Sequence, residues 1–490
     1  MAISEETFFL DAQAQGTLQT QIQQMVAEGI LSGRFRRGEK LPSSRKLAQH
    51  LGISRITVTL AYTELLADDY IASRGRSGYF VSENAPEPPS FPALAAGVGS
   101  VDWSRAIGQK FTGSEPHSKP RNWASYRYPF VYGQADPTLF DSANWRLCAL
   151  EALGRKDFDA LTTDYNDQDD PKLIEFIARQ TLPRRGILAK PDEILLTLGA
   201  QNALWLTAQV LLTSRRRAVV EDPCYPALRG ILTQARCHLT AVPVDSDGLP
   251  PDALPPDTDV VFATPSHQCP TTSTMPMQRR QALLERAERD NFLIVEDDYE
   301  FEMSFLKSPS PALKSLDRNG RVIYVGSFSK SLFPGLRLGY LVGPAPFIRE
   351  ARALRASVLR HPPGHIQRTA TYFLSRGHYD ALIRRMGKAY LDRRRTMDRA
   401  IADHGLTVAG AGSFGGSSFW MRAPEGVDTS ALAETLQADG VLIEQGNHFF
   451  AAENPPKNFY RLAYSSIPSA RIPDGIARIA AAIKMATGHI

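Results

Sequence analysis

Apolar and polar positions fall along this chain in three regimes. Leu18, Ile22, Met25, Val26 and Ile30 recur at close to helical spacing and predict one amphipathic helix from Leu18 to Leu31. Ser43 or Ser44 then opens a short helix through Leu51, Gly52 supplies a tight turn, and Ser54 caps a helix running to about Leu66. Next, "YIASRGRSGYFV" gives two short strand-like runs around Arg74-Gly75-Arg76-Ser77-Gly78, a hairpin with a cationic tip. From Glu83 to Arg127 the periodicity lapses. "ENAPEPPSFPALAAGVGS", with Pro116 and Pro120 beyond it, has the composition of a partly extended linker. The runs "EILLTL", "RAVVED", "DVVFATP", "FLIVEDD" and "RVIYVGSF" then alternate with helical patterns, predicting βα units and a mostly parallel sheet. The expected organisation is a compact domain over residues 11–82, a linker over 83–127 and a large domain over 128–490.

One stretch tests that reading. Ile194 to Ser214 carries no charge and has the length of a membrane span. Gln201, Asn202 and Gln209 interrupt it, and Gly199 divides a strand-like half from a helical half, so a buried strand, a turn and a buried helix are expected. No membrane association is expected, nor a signal peptide, since "MAISEETFFLDAQAQ" lacks a basic region followed by an apolar core. The four cysteines, Cys148, Cys224, Cys237 and Cys269, form no CxxC and no pairing with histidine. That argues against a metal site or disulfide framework and fits a reducing, cytoplasmic setting.

Net charge is only +4, but it is uneven. Seven basic residues and one acid, Glu39, lie between Arg34 and Arg55. This is either a solvated face or a surface for a polyanion. Two short helices joined at a glycine form a helix-turn-helix pattern, and Ser54, Arg55, Thr57 and Thr59 open its second helix with groups able to reach base edges and phosphates. The order "KLPSSRKLA", "LGISRITVTLAY" and "IASRGRSGYFV" resembles the GntR family of winged-helix regulators. That resemblance implies double-stranded DNA as a partner, with contacts from Arg45, Arg55, Thr59 and Gly75. The full set expected near DNA is Ser43, Ser44, Arg45, Ser54, Arg55, Thr57, Thr59, Arg74, Gly75 and Arg76.

The large domain carries a different chemistry. Lys330 sits between Ser327 and Ser329 on one side and Arg337 on the other, in "SFSKSLFPGLRLGY". A lysine becomes a Schiff-base nucleophile when burial or nearby positive charge lowers its pKa. Serine hydroxyls and an arginine fork suit a phosphate, as do the backbone N–H groups of Gly199, Ala200 and Gln201 at a helix start. Pyridoxal 5'-phosphate (PLP) would supply both an aldehyde and a phosphate. Its ring nitrogen needs a carboxylate, and Asp297 ends an apolar strand with Tyr299 two residues on. Tyr225 follows another strand end, where an aromatic ring could stack.

Singly, each of these has a structural reading: Asp297 a loop acid, Arg337 a surface charge, Tyr225 a core aromatic. In sequence, "TLGAQNAL", "EDPCYP", "TPSHQCP", "VEDDYE", "SFSKSLFPGLRLGY" and "FYRLAYS" resemble the fold-type I aminotransferases. The resemblance implies a large sheet domain with a smaller α+β subdomain, and PLP on Lys330. Asp297 would pair with the ring nitrogen, Tyr299 with the ring hydroxyl, and Tyr225 would stack. Ser327, Ser329, Arg337 and the Gly199–Gln201 turn would hold the phosphate, and Arg461 a ligand's anionic group. His267 and Gln268 are expected near the ring. Two departures stand out: Thr272 replaces the glycine of a common "PTG" turn, and no second arginine adjoins Tyr225.

A winged helix joined to such a domain resembles the MocR subfamily of regulators, the group containing GabR. This implies a small amino compound as effector, recognised by displacing Lys330 from the cofactor, and a homodimer with a head-to-tail exchange. "LADDYIASRGRSGYFV" and "VYGQADPTLFD" are most similar to regulators of taurine use; an ω-amino acid would satisfy the same chemistry. An aminotransferase with an accessory DNA-binding domain and a direct PLP sensor remain the alternatives.

Overall fold

The computed structural model describes residues 2–11, 16–86, 101–112, 119–163, 167–308, 310–410 and 412–488, without the Arg76 side chain. Much of the expected linker, including Pro116, lies outside the described residues. The chain divides into two units, Met1–Lys110 and Phe111–Ile490.

In the first unit, helix α1 (Leu18–Leu31) starts at Thr17, whose hydroxyl accepts from Thr20 N–H. Helix α2 (Ser44–Leu51) is capped by Ser43 and ends at Gly52, whose φ of 66° is a left-handed conformation that favours glycine. Helix α3 (Arg55–Ala67) is capped by Ser54. Ile22, Val26, Leu47, Val58, Tyr62 and Leu65 close a small core between the three helices. Tyr62 is buried, and its hydroxyl donates to the carbonyl of Pro42 at 3.0 Å. Strands β1 (Ile71–Ser73) and β2 (Tyr79–Val81) pair antiparallel around the turn Gly75–Ser77, completing a winged helix-turn-helix.

The second unit opens with β3 (Tyr128–Pro129) and continues through β4 (Ile194–Thr197), β5 (Arg217–Asp222), β6 (His238–Pro243), β7 (Val260–Ala263), β8 (Leu293–Asp298), β9 (Val322–Ser327) and β10 (Gly339–Val342). The last seven form one sheet in the order β4-β10-β9-β8-β7-β5-β6. Strands β9, β8, β7, β5 and β6 run parallel, and β10 is antiparallel to both its neighbours. The uncharged stretch from Ile194 is strand β4 followed by the helix Gly199–Leu211, as its interruptions predicted. Among the described residues no helix is long and apolar enough to cross a membrane. Val220, Phe262, Val295 and Val325 pack against that helix and its neighbours on one face; Val219, Val261, Ile294 and Val322 pack under Met277–Arg289 on the other. Burial on both faces explains why these strands read as continuous apolar runs.

A second sheet of β11 (Thr407–Val408), β12 (Ser418–Arg422), β14 (Glu444–Gln445) and β15 (Phe459–Ala463) is antiparallel, with β13 (Val441–Leu442) pairing with β3 instead. It is the smaller α+β portion, and it carries Arg461.

Candidate functional site

The C-terminal ends of β8 and β9 and the turn after β4 converge on a cleft of about 1000 Å³, the position open α/β sheets reserve for ligands. Ala200, Gln201, Tyr225, Asp297, Tyr299, Ser327, Ser329, Lys330, Arg337 and Arg461 all line it. Gly199 stands just behind, with φ at 78°, and a Cβ there would lie 3.4 Å from the Arg337 guanidinium and 3.5 Å from Ser329 Oγ. Every residue expected to hold the cofactor or ligand is therefore gathered in one place.

The electrostatics suit a nucleophilic lysine. Burial, reinforced by Arg461, lowers the Lys330 ammonium to about 8, although Glu300 opposes it. Lys330 Nζ lies 4.2 Å from the centroid of the Tyr132 ring. Gly133, at φ 75°, lets the chain pass so close that a Cβ there would fall 2.6 Å from Nζ. Burial and the neighbouring Asp298 raise the Asp297 carboxyl to about 7. Asp297 Oδ1 and Ser329 Oγ are shut off from solvent without a partner among the described residues. Such orphaned groups are costly unless something satisfies them. A ring N–H at Asp297 and a phosphate at Ser329, Arg337 and the N-terminus of Gly199–Leu211 would do so, and the residues present fit PLP.

The ligand end of the cleft differs from expectation. Arg461 is buried, and its Nε and Nη2 both lie 2.6 Å from Glu444 Oε2. Burial pushes the Glu444 carboxyl up, but Arg461 and His448 outweigh it and hold the group at about 2. Arg229, four residues after Tyr225, does not enter the cleft. It donates to the carbonyls of His448 at 2.5 Å and Phe449 at 2.6 Å, bracing the loop beside Arg461. His267 and Gln268 do not line the cleft. His267 packs behind Tyr299, with Nε2 3.3 Å from Glu300, and Gln268 donates to Glu221 and to the Pro223 carbonyl. Thr272 takes the left-handed conformation of the absent glycine, with φ at 63°, and its hydroxyl accepts from Gly412 N–H at 3.1 Å. A β-branched residue there stores strain of about 1 kcal/mol or more.

Sequence reasoning missed Tyr132, Gly133, Lys119 and Glu444, all of which touch or line this cleft. Glu444 follows the buried pair Val441 and Leu442 in "VLIEQG", with half-buried Ile443 and Gln445 on either side, so no alternation marks it out. Lys119 lies in a polar stretch with no period to single it out.

In the first unit Arg45 and Arg55 are exposed on adjacent helices. Ser43 and Ser54 spend their hydroxyls as helix caps, accepting from Lys46 and Ile56 N–H. Ser44 is buried, and its oxygen accepts from Arg55 Nε at 3.4 Å, so it steadies Arg55 instead of facing outward. Thr57 is half-buried; Thr59 Oγ1 donates to the Arg55 carbonyl at 2.9 Å. Arg74 stacks 4.8 Å over Phe80 and lies 3.4 Å from Glu83, while Gly75 is exposed at the tip with φ 55°. The Arg76 side chain lies outside the described residues. Ile56, 71% exposed beside Arg55, is an apolar addition suited to a thymine methyl.

Comparison with known proteins agrees with both halves. Residues 18–81 match the family of bacterial regulatory proteins of the gntR type, and residues 135–479 match aminotransferase class I and II. The chain is 58% identical over 484 residues to the HTH-type transcriptional regulator TauR of Rhodobacter capsulatus, covering 99% of this chain and 100% of that one. It is 30% identical over 474 residues to the probable rhizopine catabolism regulatory protein MocR of Rhizobium meliloti, covering 95% and 94%. Among solved structures, the Thermus thermophilus α-aminoadipate aminotransferase LysN superposes with a TM-score of 0.71 at 26% identity, over 80% of this chain and all of that one. Pyrococcus horikoshii kynurenine aminotransferase gives 0.68 at 29%, over 73% and 90%.

Proposed function

The chain belongs to the MocR type of gntR-family transcriptional regulators, with a PLP-dependent aminotransferase class I and II domain, and from that premise we propose that it senses a small amino compound at Lys330 and answers by changing its hold on operator DNA. The observation that carries this is the cleft itself, which gathers a half-buried lysine, an unpartnered carboxylate, a phosphate cradle and a buried arginine in a chain that also carries a helix-turn-helix.

When bound, PLP supplies a carbonyl to which primary amines attach and a ring that withdraws electrons. The rest falls to the protein. Lys330, with its pKa near 8, offers a substantial fraction of free amine at neutral pH to hold that carbonyl and to yield it to an incoming amine. Asp297 would keep a proton on the ring nitrogen. Ser327, Ser329, Arg337 and the helix start at Gly199 would fix the phosphate. Arg461 would orient the ligand by its anionic tail, and Tyr299 and Tyr225 would confine the ring. Because Arg461 belongs to the smaller sheet and Lys330 to the turn that follows β9 of the larger one, a ligand joining both favours their approach. It shifts the DNA-binding equilibrium by its difference in affinity for the two states. Taurine or an ω-amino acid has the required amine and anion. A homodimer with exchanged heads would present two half-sites; a monomer in sedimentation at micromolar concentration would refute that arrangement.

The test is to follow bound-cofactor absorbance and operator affinity together while titrating taurine, α-amino acids and ω-amino acids. A shared midpoint supports the proposal, and Lys330→Ala must abolish the cofactor signature. One observation favours a second reading: every group an aminotransferase would need lines the cleft. Fast multiple turnover of an amino donor and a keto acid, with DNA affinity unmoved, would establish an enzyme instead. Switching of DNA affinity by PLP alone would establish a cofactor sensor.

A further inference from the structure

The arginine expected to grip the ligand's anion is already partnered. Arg461 and Glu444 face each other in register across β15 and β14, and Glu444 Oε2 takes both Nε and Nη2 of the guanidinium at 2.6 Å. That is the edge an arginine normally offers to a carboxylate as a two-bonded fork. Its faces are fixed as well, by Tyr132 at 3.7 Å and Phe449 at 4.7 Å from the ring centroids. The Nη1 donor has only the Cys269 thiol at 4.0 Å among the described residues, too long for an effective hydrogen bond. A ligand therefore meets Arg461 end-on at Nη1, beside an ionised carboxylate.

A second cation restores attraction for an anion. Lys119 lines the same cleft as Arg461 and Glu444. Lys119 is exposed at its solvent side; partial burial and Arg461 draw its pKa down while Glu444 pulls the other way, so its ammonium lies within electrostatic reach of both. His448 Nε2 stands 3.7 Å from the other Glu444 oxygen. Arg121 and Glu434, of opposite sign, also line the cleft and offset one another. Arg461 and the exposed Lys119 at the cleft wall, set against Glu444, give these three groups one net positive charge.

We propose that Glu444 is a specificity-determining residue: opposed to Arg461 and Lys119, it makes this subsite accept amino compounds whose tail carries one negative charge and reject tails that carry two. The first class comprises ω-amino sulfonates and ω-amino monocarboxylates; the second includes doubly ionised aminoalkylphosphonates. A second ligand charge would lie beside the Glu444 carboxylate with no cation of its own, and selection by such repulsion is as effective as selection by new contacts. The inference rests on the cleft being an amine-sensing site.

Two probes of equal length isolate the charge: 2-aminoethanesulfonate and 2-aminoethylphosphonate, titrated into the full-length, PLP-loaded protein at about pH 8, where the phosphonate is mostly doubly ionised. Binding is read by cofactor absorbance and by calorimetry. The wild type is expected to favour the sulfonate by about tenfold or more, a difference of about 1.4 kcal/mol. Glu444→Gln is expected to erase that preference by strengthening phosphonate binding, and Glu444→Asp to retain it. Lys119→Gln is expected to weaken the sulfonate about tenfold, an effect that does not depend on how Glu444→Gln folds. An unchanged sulfonate-to-phosphonate ratio in Glu444→Gln that still binds PLP, or an unaltered sulfonate affinity in Lys119→Gln, overturns the proposal and leaves the amine-sensing reading standing. A wild type that responds to no ω-amino sulfonate or ω-amino monocarboxylate overturns the proposal, and one that responds to no amino compound at all overturns the amine-sensing reading as well.

Discussion

Arg461 lies over Tyr132, its guanidinium carbon 3.7 Å from the ring centroid. Lys330 Nζ lies 4.2 Å from the same centroid. One ring thus sets the spacing between the lysine proposed to hold the cofactor and the arginine proposed to meet the ligand's anion. Tyr132→Ala is expected to weaken effector binding about tenfold, since cation–ring contacts in desolvated sites are worth about 1–2 kcal/mol. Tyr132→Phe should behave like wild type, because the hydroxyl reaches Glu300 only at 3.5 Å. A Phe variant as weak as the Ala variant would assign the role to the hydroxyl.

Lys330 supplies a pH signature. Its folded pKa is about 8 against an ordinary 10.5, so the reactive free amine accumulates as pH rises through about 8. The rate at which cofactor-free protein takes up PLP is expected to reach half its maximum near that pH. Arg461 contributes to the depression, and Arg461→Gln should move the midpoint upward. A midpoint left in place by the variant would contradict that attribution.

Asp297 trades stability for function. Its folded pKa, about 7, is raised above its ordinary 3.8 by burial. The sign follows directly: ionising it in the folded, cofactor-free protein is unfavourable, fully so above about pH 7, and the cost fades as pH falls toward 3.8. Asp297→Asn is therefore expected to raise the Tm of cofactor-free protein at pH 8 and to lose that advantage near pH 4. The same variant should bind PLP more weakly. A Tm difference that grows on acidification would refute the assignment.

For the DNA-binding unit, Arg55→Ala is expected to reduce operator affinity by about 10- to 100-fold, equivalent to about 1–3 kcal/mol for a base-reading arginine. Ser44→Ala, which removes only the 3.4 Å support to Arg55 Nε, should lose less. Measured against salt, a base-reading Arg55 leaves the slope nearly intact, whereas a phosphate contact lowers it by about one. Equal losses on operator and random DNA would make Arg55 a backbone contact.

Local rules carried the reading of the first unit. Ser43, Gly52 and Ser54 act within a few residues of themselves, and each has the cap or turn its chemistry predicts. In the second unit, strand-end placement was legible because β4, β5, β8 and β9 are buried on both faces and read as apolar runs. What escaped was pairing at long range. Nothing near Glu444 in the chain announces Arg461, and only the register of β14 on β15 brings them together. No second arginine was expected beside Tyr225, and Arg229 indeed turns away from the cleft to carbonyls at 448 and 449, partners that no local pattern connects to Tyr225. Thr272 shows the converse. Its left-handed backbone is held by contacts with Gln268 and Gly412 that a propensity rule does not weigh.

The single antiparallel strand of the large sheet has a consequence for assembly. Gly339 on β10 pairs with Ser327 on one side and with Thr197 on the other. Arg337, just before β10, donates to the Leu198 carbonyl at 3.2 Å. The serines and the helix start are thus buttoned together along one row by a strand that arrives after both in synthesis. Until β10 docks, the nascent chain has the pieces of a phosphate cradle but no cradle. Competence to take up PLP is then a late event in folding, and inorganic phosphate should favour the fully docked sheet over any partly formed one.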